Sequence, residues 1–234
     1  MSPETARKIG AEAAKYNIQL SVHAPYWINL ANDENLDKNF NWIRQSLTLL
    51  KEMGGTRLVV HVASQGTLTR EAALSNTKRN LSTVIKRLDE AGLNDWLMCL
   101  EVMGKYSEIG NVEEICALCK LDERLIPCLD FGHINCLTQG QLATDPTAIP
   151  EIMEYVGQEL GQEKLSKIHV HWSAIEFGPK GERKHNILES EWAFPFQPLA
   201  QVIREKNLSP TIICESAEIM AQDALKLMQM FNIK

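Results

Sequence analysis

The sequence lacks a phosphate-cradling glycine loop: neither GxGxxG nor GxxxxGK(S/T) follows any apolar segment, so a nucleotide-binding doubly wound sheet is unsupported. It lacks any apolar run long enough to span a bilayer, and the amphipathic Met1–Ile18 stretch has no apolar leader core. These absences predict a soluble, cytoplasmic protein with no membrane partner. Basic residues are in deficit, 24 Lys and Arg against 30 Asp and Glu, for a net charge of -6. Without a broad positive field, contact with a polyanion would have to come from a local patch or from bound cations. Low-complexity linkers are also missing, so 234 residues with 44% hydrophobic content read as one large α/β domain.

The six cysteines are poorly arranged for chemistry. Of six, Cys99, Cys128 and Cys214 sit inside apolar strand-like runs, where a small hydrophobe is the usual role. Cys116 and Cys119 form a lone CxxC with no second pair to complete four zinc ligands and no strand just before it. All six are expected to be reduced core thiols.

What is present is an alternation. Helices are predicted over 1–17 (Ser2 as N-cap, Pro3 at the first turn), 36–53, 69–91, 111–120, 145–160, 195–206 and 217–231, stopped at Gly54-Gly55 and Gly92 where a left-handed residue ends a helix. Between them lie apolar runs at 18–23, 57–61, 96–101, 125–130, 167–172 and 211–215. Strands alternating with helices imply βαβ units and a parallel sheet, and near-continuous apolar strands imply a sheet covered on both faces.

The strand ends carry the functional signal. His23, His61, Glu101, Asp130, His169 and Glu215 lie at or towards the ends of the six runs, roughly one βα unit apart each time. A single Asp or His at such a place is most simply a strand end capped by water. Six together are different, because the strands of a parallel barrel all end on one face and bring distant residues into one bowl. Nitrogen and carboxylate donors without thiolate suit zinc, with manganese possible. The six histidines, His23, His61, His133, His169, His171 and His185, all fall at strand ends or in the following loops, and none on a predicted helix.

The segments Ser21-Val22-His23-Ala24-Pro25-Tyr26-Trp27-Ile28-Asn29-Leu30, Val59-Val60-His61, Leu100-Glu101, Cys128-Leu129-Asp130-Phe131-Gly132-His133, Ile168-His169 and Ile213-Cys214-Glu215 together resemble the endonuclease IV family of abasic-site endonucleases, zinc enzymes on a xylose-isomerase-like TIM barrel. The resemblance implies a cation held by His23, His61 and Glu101, and a second held by a bridging Glu101 with Asp130, His169 and Glu215. It implies a third at His133, completed by Glu182 and His185 in Gly181-Glu182-Arg183-Lys184-His185, where Glu stands for the family's Asp and Lys184 takes the usual histidine place. Glu101 and Glu215 would be catalytic and Tyr26 would contact DNA. Apart from the resemblance, Lys180, Arg183 and Lys184 form a local basic cluster that is either a phosphate contact or a solvated loop. Val62-Ala63, Val102-Met103 and His171-Trp172 depart from the family's residues along the groove.

Only six of the eight βα units of such a barrel are visible, so the match begins before the family's third strand and Met1 is expected to be an internal start. The leading expectation is zinc-dependent phosphodiester hydrolysis at abasic sites in damaged double-stranded DNA, with two or three ions and no obligate protein partner. A sugar isomerase or epimerase with a single metal, on a small sugar, needs only Glu101, Asp130, His169 and Glu215. A diverged barrel that binds metal without catalysis is the third reading.

Overall fold

The computed structural model describes residues 1–232. The chain divides into two compact units, Met1–Glu101 with Leu118–Ile126, and Val102–Ala117 with Pro127–Lys234. No helix among the described residues is long and apolar enough to cross a membrane.

In the first unit, α1 (Pro3–Lys15) starts where Ser2 Oγ accepts the Thr5 amide, satisfying one orphan donor of the first turn. After β1 (Ser21–His23), a short 3-10 turn at Asp33–Asn35 leads into α2 (Leu36–Glu52), whose Ile43, Leu47 and Leu50 are buried at helical spacing. Then follow β2 (Arg57–Val60), the two-residue β3 (Ala63–Ser64), α3 (Arg70–Glu90) and β4 (Leu97–Glu101). Thr69 caps α3 by accepting from Ala72, and Leu81, Val84 and Leu88 are fully buried. Burying each such side chain contributes about 1.5–3 kcal/mol. β1, β2 and β4 run parallel and in sequence order, with His23 opposite Val59 and Val60 opposite Leu100. That register sets His61 level with Glu101, one residue past the last pairing.

The second unit holds β5 (Glu108–Ile109) and most of α4 (Val112–Cys119) and β6 (Leu125–Asp130). Asn111 and Glu114 form a reciprocal capping box: Asn111 Oδ1 accepts from the Glu114 amide, and Glu114 Oε2 accepts from those of Gly110 and Asn111. Beyond it come α5 (Phe131–Leu137), α6 (Gln141–Thr144), α7 (Ala148–Ser166), β7 (His169–Trp172), β8 (Ala174–Gly178), β9 (Gly181–Asn186), α8 (Gln197–Glu205), β10 (Thr211–Cys214) and α9 (Met220–Asn232). β6, β7 and β10 are parallel neighbours, with Asp130 opposite His171 and Cys214 opposite Trp172. Trp172, 2% exposed, packs its ring against Phe131, Phe194 and Phe196 at centroid distances of 5.4, 4.7 and 4.9 Å, the aromatic heart of this unit.

Several boundaries differ from the sequence reading. His133 lies on a helix, because Asp130 caps α5 directly at the end of β6. The antiparallel hairpin β8–β9 has no counterpart among the predicted strands. Asp145 precedes α7 and turns the chain by accepting from the Thr147 amide, and the helix continues past Leu160 through a kink at Gly161 (φ +81°). All six cysteines are buried and outside any disulfide, as expected of core thiols.

Candidate metal centre

The first unit presents three ligand-type side chains at neighbouring strand ends. His23 Nε2 and His61 Nε2 each lie 2.9 Å from Glu101 Oε2. Glu101 is 1% exposed, so its charge needs close compensation. His23 Nδ1 is 2.8 Å from the Ala24 carbonyl, which can only accept, so Nδ1 carries a proton, and in the neutral form of the ring the Nε2 lone pair faces a carboxylate oxygen. In that form two acceptors face each other, and either a second ring proton or a metal cation has to stand between them. His61 Nδ1 is buried without a hydrogen-bond partner, so either tautomer of that ring leaves one nitrogen unsatisfied. A cation at the Nε2 side answers both features. Tyr26 packs edge-on against His61, with centroids 5.2 Å apart, and Trp27 stands edge-on to Tyr26, 74% exposed.

The second unit repeats the arrangement twice. Asp130, His171 and Glu215 bring ligand atoms within 4.8 Å of one another. His171 Nδ1 is 3.3 Å from Glu215 Oε1 and 3.8 Å from Asp130 Oδ2, with Asp130 fully buried. His133, Glu182 and His185 form the other group. There His133 Nδ1 bonds the Val102 carbonyl at 2.9 Å and its Nε2 faces Glu182 Oε2 at 3.5 Å. His185 Nδ1 lies 3.2 Å from the Glu215 carbonyl and 3.0 Å from Ser173 Oγ, while its Nε2 faces Glu182 Oε1 at 3.8 Å. Like His23, both rings anchor Nδ1 on a main-chain carbonyl and aim Nε2 at a carboxylate, the outer bonding that orients a metal-bound imidazole. These nitrogen and oxygen donors fit a divalent cation such as zinc or manganese. Nearby Cys136 adds no thiolate: burial, and then the charges of Asp130 and Glu182, push its thiol well above the ordinary range.

The glycines beside the third group have a steric reason. A Cβ on Gly104 would sit 2.6 Å from His133 Cδ2 and 2.9 Å from Glu182 Cβ. Gly181 has φ +96°, and a Cβ there would sit 2.2 Å from the Gly104 carbonyl oxygen.

With this geometry in hand, comparison with known proteins places the chain. Residues 1–231 match the family model described as xylose isomerase-like TIM barrel. The chain belongs to the xylose isomerase-like TIM barrel family. An uncharacterized protein of Methanocaldococcus jannaschii is 33% identical over 219 residues, 92% of this chain and 78% of that protein. A probable endonuclease 4 of Mycoplasma pneumoniae is 31% identical over 180 residues, 74% of this chain and 59% of that protein. The chain thus spans about three-fifths of the endonuclease 4 relative's length. Among solved structures, a D-tagatose 3-epimerase-like protein superposes with a TM-score of 0.70 at 21% identity, covering 98% of this chain and 81% of the other. Endonuclease IV from Thermus thermophilus does so with a TM-score of 0.68 at 20% identity, covering 99% and 81%. The expectation of a parallel α/β barrel-type fold is therefore borne out.

Within this family fold, the structure sorts the residues singled out from the sequence. His23, His61 and Glu101 meet, as do His133, Glu182 and His185. In the remaining set, the histidine grouped with Asp130 and Glu215 is His171, whereas His169 is grouped with Cys128 and His171. The reason is register: Asp130 pairs with His171 across the ladder, and His169 sits one full pleat earlier, opposite Cys128. Lys184 pairs with Glu176 in the hairpin, Arg183 Nη1 lies 3.4 Å from Glu176 Oε1, and Lys180 is exposed at the turn. The sequence reading did not single out His171 for the group with Asp130 and Glu215, nor Gly104 as the residue that makes room for His133. The repeated His-x-His of His169-Val170-His171 was the available signal for the first.

Proposed function

We propose that the chain is a metal-dependent phosphodiester hydrolase of the endonuclease IV type, acting on DNA at abasic sites. The observation that carries this reading is the paired approach of His23 and His61 to Glu101, a histidine-rich set additional to the Asp130–His171–Glu215 group. The relatives named probable endonuclease 4 support the same class. Divalent cations held by His23, His61 and Glu101, by Asp130, His171 and Glu215, or by His133, Glu182 and His185 would lower the pKa of water and neutralise phosphoryl charge. The chain's own residues do the rest. Glu101 fixes the His23 and His61 rings, and the main-chain carbonyls behind His23, His133 and His185 hold their tautomers. Glu215, whose side chain is 28% exposed, accepts the proton of the attacking water. Tyr26 and Trp27 offer aromatic faces and edges to the nucleotides flanking the lesion, and Lys180, Arg183 and Lys184 meet backbone phosphates. The test is incision of a synthetic abasic duplex by the protein with zinc or manganese added. A single nick at the lesion is expected, and an intact duplex with either metal would remove this function.

A second reading, a single-metal sugar epimerase, is favoured by the grouping of Asp130, His171 and Glu215 within the second unit; the epimerase-like neighbour shares the fold. There the carboxylates would move protons beside a carbonyl. Elemental analysis separates the two, since two or three cations per chain support the hydrolase and one supports the epimerase.

A further inference from the structure

Two buried groups have no part in the proposed hydrolysis: the Cys128 thiol and the His169 imidazole, each 0% exposed. β6 and β7 pair in parallel with Cys128 opposite His169 and Asp130 opposite His171. Side chains two apart on a strand share a face, so these four stack as two rungs on one side of the sheet. The upper rung, Asp130 with His171, leads to Glu215. The lower rung is a thiol and an imidazole. Donor atoms of Cys128, His169 and His171 lie within 4.8 Å of one another, and the two rings stand 5.2 Å apart at 74°.

A space-filling thiol calls for apolar neighbours, yet here it faces two imidazoles that are costly to bury. One sulfur with two imidazole nitrogens is a borderline-soft donor set, whereas Asp130, His171 and Glu215 make a hard one. His171 belongs to both. We propose that Cys128, His169 and His171 form a thiolate-containing cation site beneath the Asp130 and Glu215 carboxylates, which takes a soft or borderline ion such as Cd²⁺ or Zn²⁺ and withdraws His171 from the harder site above. On loading, the Cys128 S–H bond breaks, a sulfur–metal bond forms and the proton leaves to solvent. The partly exposed Glu215 marks the way in. Only the role of His171 in the upper set rests on the function proposed above, and the spectroscopic test below does not depend on DNA cleavage.

The experiment titrates the whole protein with Cd²⁺ and follows the thiolate-to-metal charge-transfer band in the ultraviolet, with ¹¹³Cd NMR to read sulfur ligation directly. One equivalent of sulfur-ligated cadmium is expected in the wild type. Cys128→Ser is expected to abolish it and His169→Gln to weaken it several-fold. Bound Mn²⁺, followed by electron paramagnetic resonance, is expected to fall by one equivalent when cadmium loads the wild type, and to be retained in Cys128→Ser. Sulfur-ligated cadmium of equal intensity in Cys128→Ser, or none in the wild type, overturns the site. Manganese displaced equally from both proteins overturns the sharing of His171. Cys128→Ala, checked for native circular dichroism, serves if the serine variant fails to fold.

Discussion

His23 Nε2 and His61 Nε2 stand at the same distance, 2.9 Å, from a single oxygen, Glu101 Oε2. A carboxylate that merely held two neutral rings would be served by one donor from each, but His23 has already committed its proton to the Ala24 carbonyl. Glu101→Gln is therefore expected to lower the affinity of one cation per chain by at least about 100-fold, the upper end of what even outer-shell changes cost. Metal-free protein should lose little or no stability, because the substitution removes a charge that is costly to bury. Elemental analysis and thermal melts with and without chelator check both halves. A melting temperature that falls equally in each condition would make Glu101 a structural ion-pair partner instead.

The third ligand group depends on a bulge. Across the β8–β9 hairpin, Glu176 pairs with Lys184 and Phe177 with Glu182, so Arg183 is an extra residue on β9 and the register shifts there. An inserted residue resets the two-residue alternation, which lets Glu182 and His185, three apart, both approach His133. His185→Ala is expected to remove one cation equivalent, whereas Lys184→Ala should leave metal content unchanged. Counting cations per chain in the two variants is sufficient.

That bulge also marks where reading from residues alone stopped. The helices were legible because Ile43, Leu47 and Leu50, or Leu81, Val84 and Leu88, repeat with the helical period and are buried as that period demands. Most strand ends were legible because an apolar run stops at His23, Glu101 or Asp130. His169 and His171 were not distinguishable, since both have the same parity on β7 and only pairing with β6 decides which is level with Asp130. The helical setting of His133 was hidden for a related reason. Asp130 is at once the last residue of β6 and the cap of α5, accepting the His133 amide at 2.8 Å, so strand and helix abut without the loop that usually announces a boundary.

Gly104 tests whether the space around His133 matters as much as its donors. A Cβ there would meet both the His133 ring and the Glu182 side chain. Gly104→Ala removes no ligand atom, yet it is expected to cost about 1–3 kcal/mol of stability through overpacking and to eject the cation of that group. Metal analysis should fall by one equivalent while the His23–His61–Glu101 cation is retained. Unchanged metal content would mean that the His133 ring can give way without leaving the site.

The last expectation concerns acid stability. Asp223 in the first turn of α9 is fully buried, accepting from the Leu188 amide at 2.9 Å and from Lys226 Nζ at 2.8 Å. Burial alone would raise its pKa. The Lys226 ammonium, the Leu188 amide and the Ser216 hydroxyl outweigh that and hold it below the ordinary carboxyl range. Because the folded carboxyl binds its proton less readily than the unfolded one, its contribution is complete at neutral pH. It is lost as the pH falls below about 4 and through the depressed folded value. Asp223→Asn keeps the shape but removes the charge, and is expected to cost about 1–3 kcal/mol at pH 7. Urea unfolding of both proteins at pH 7 and pH 3 reads the difference, which should narrow at the lower pH as the wild-type carboxyl gains its proton. A gap that persists unchanged into acid would assign the cost to packing of α9 rather than to the charge on Asp223.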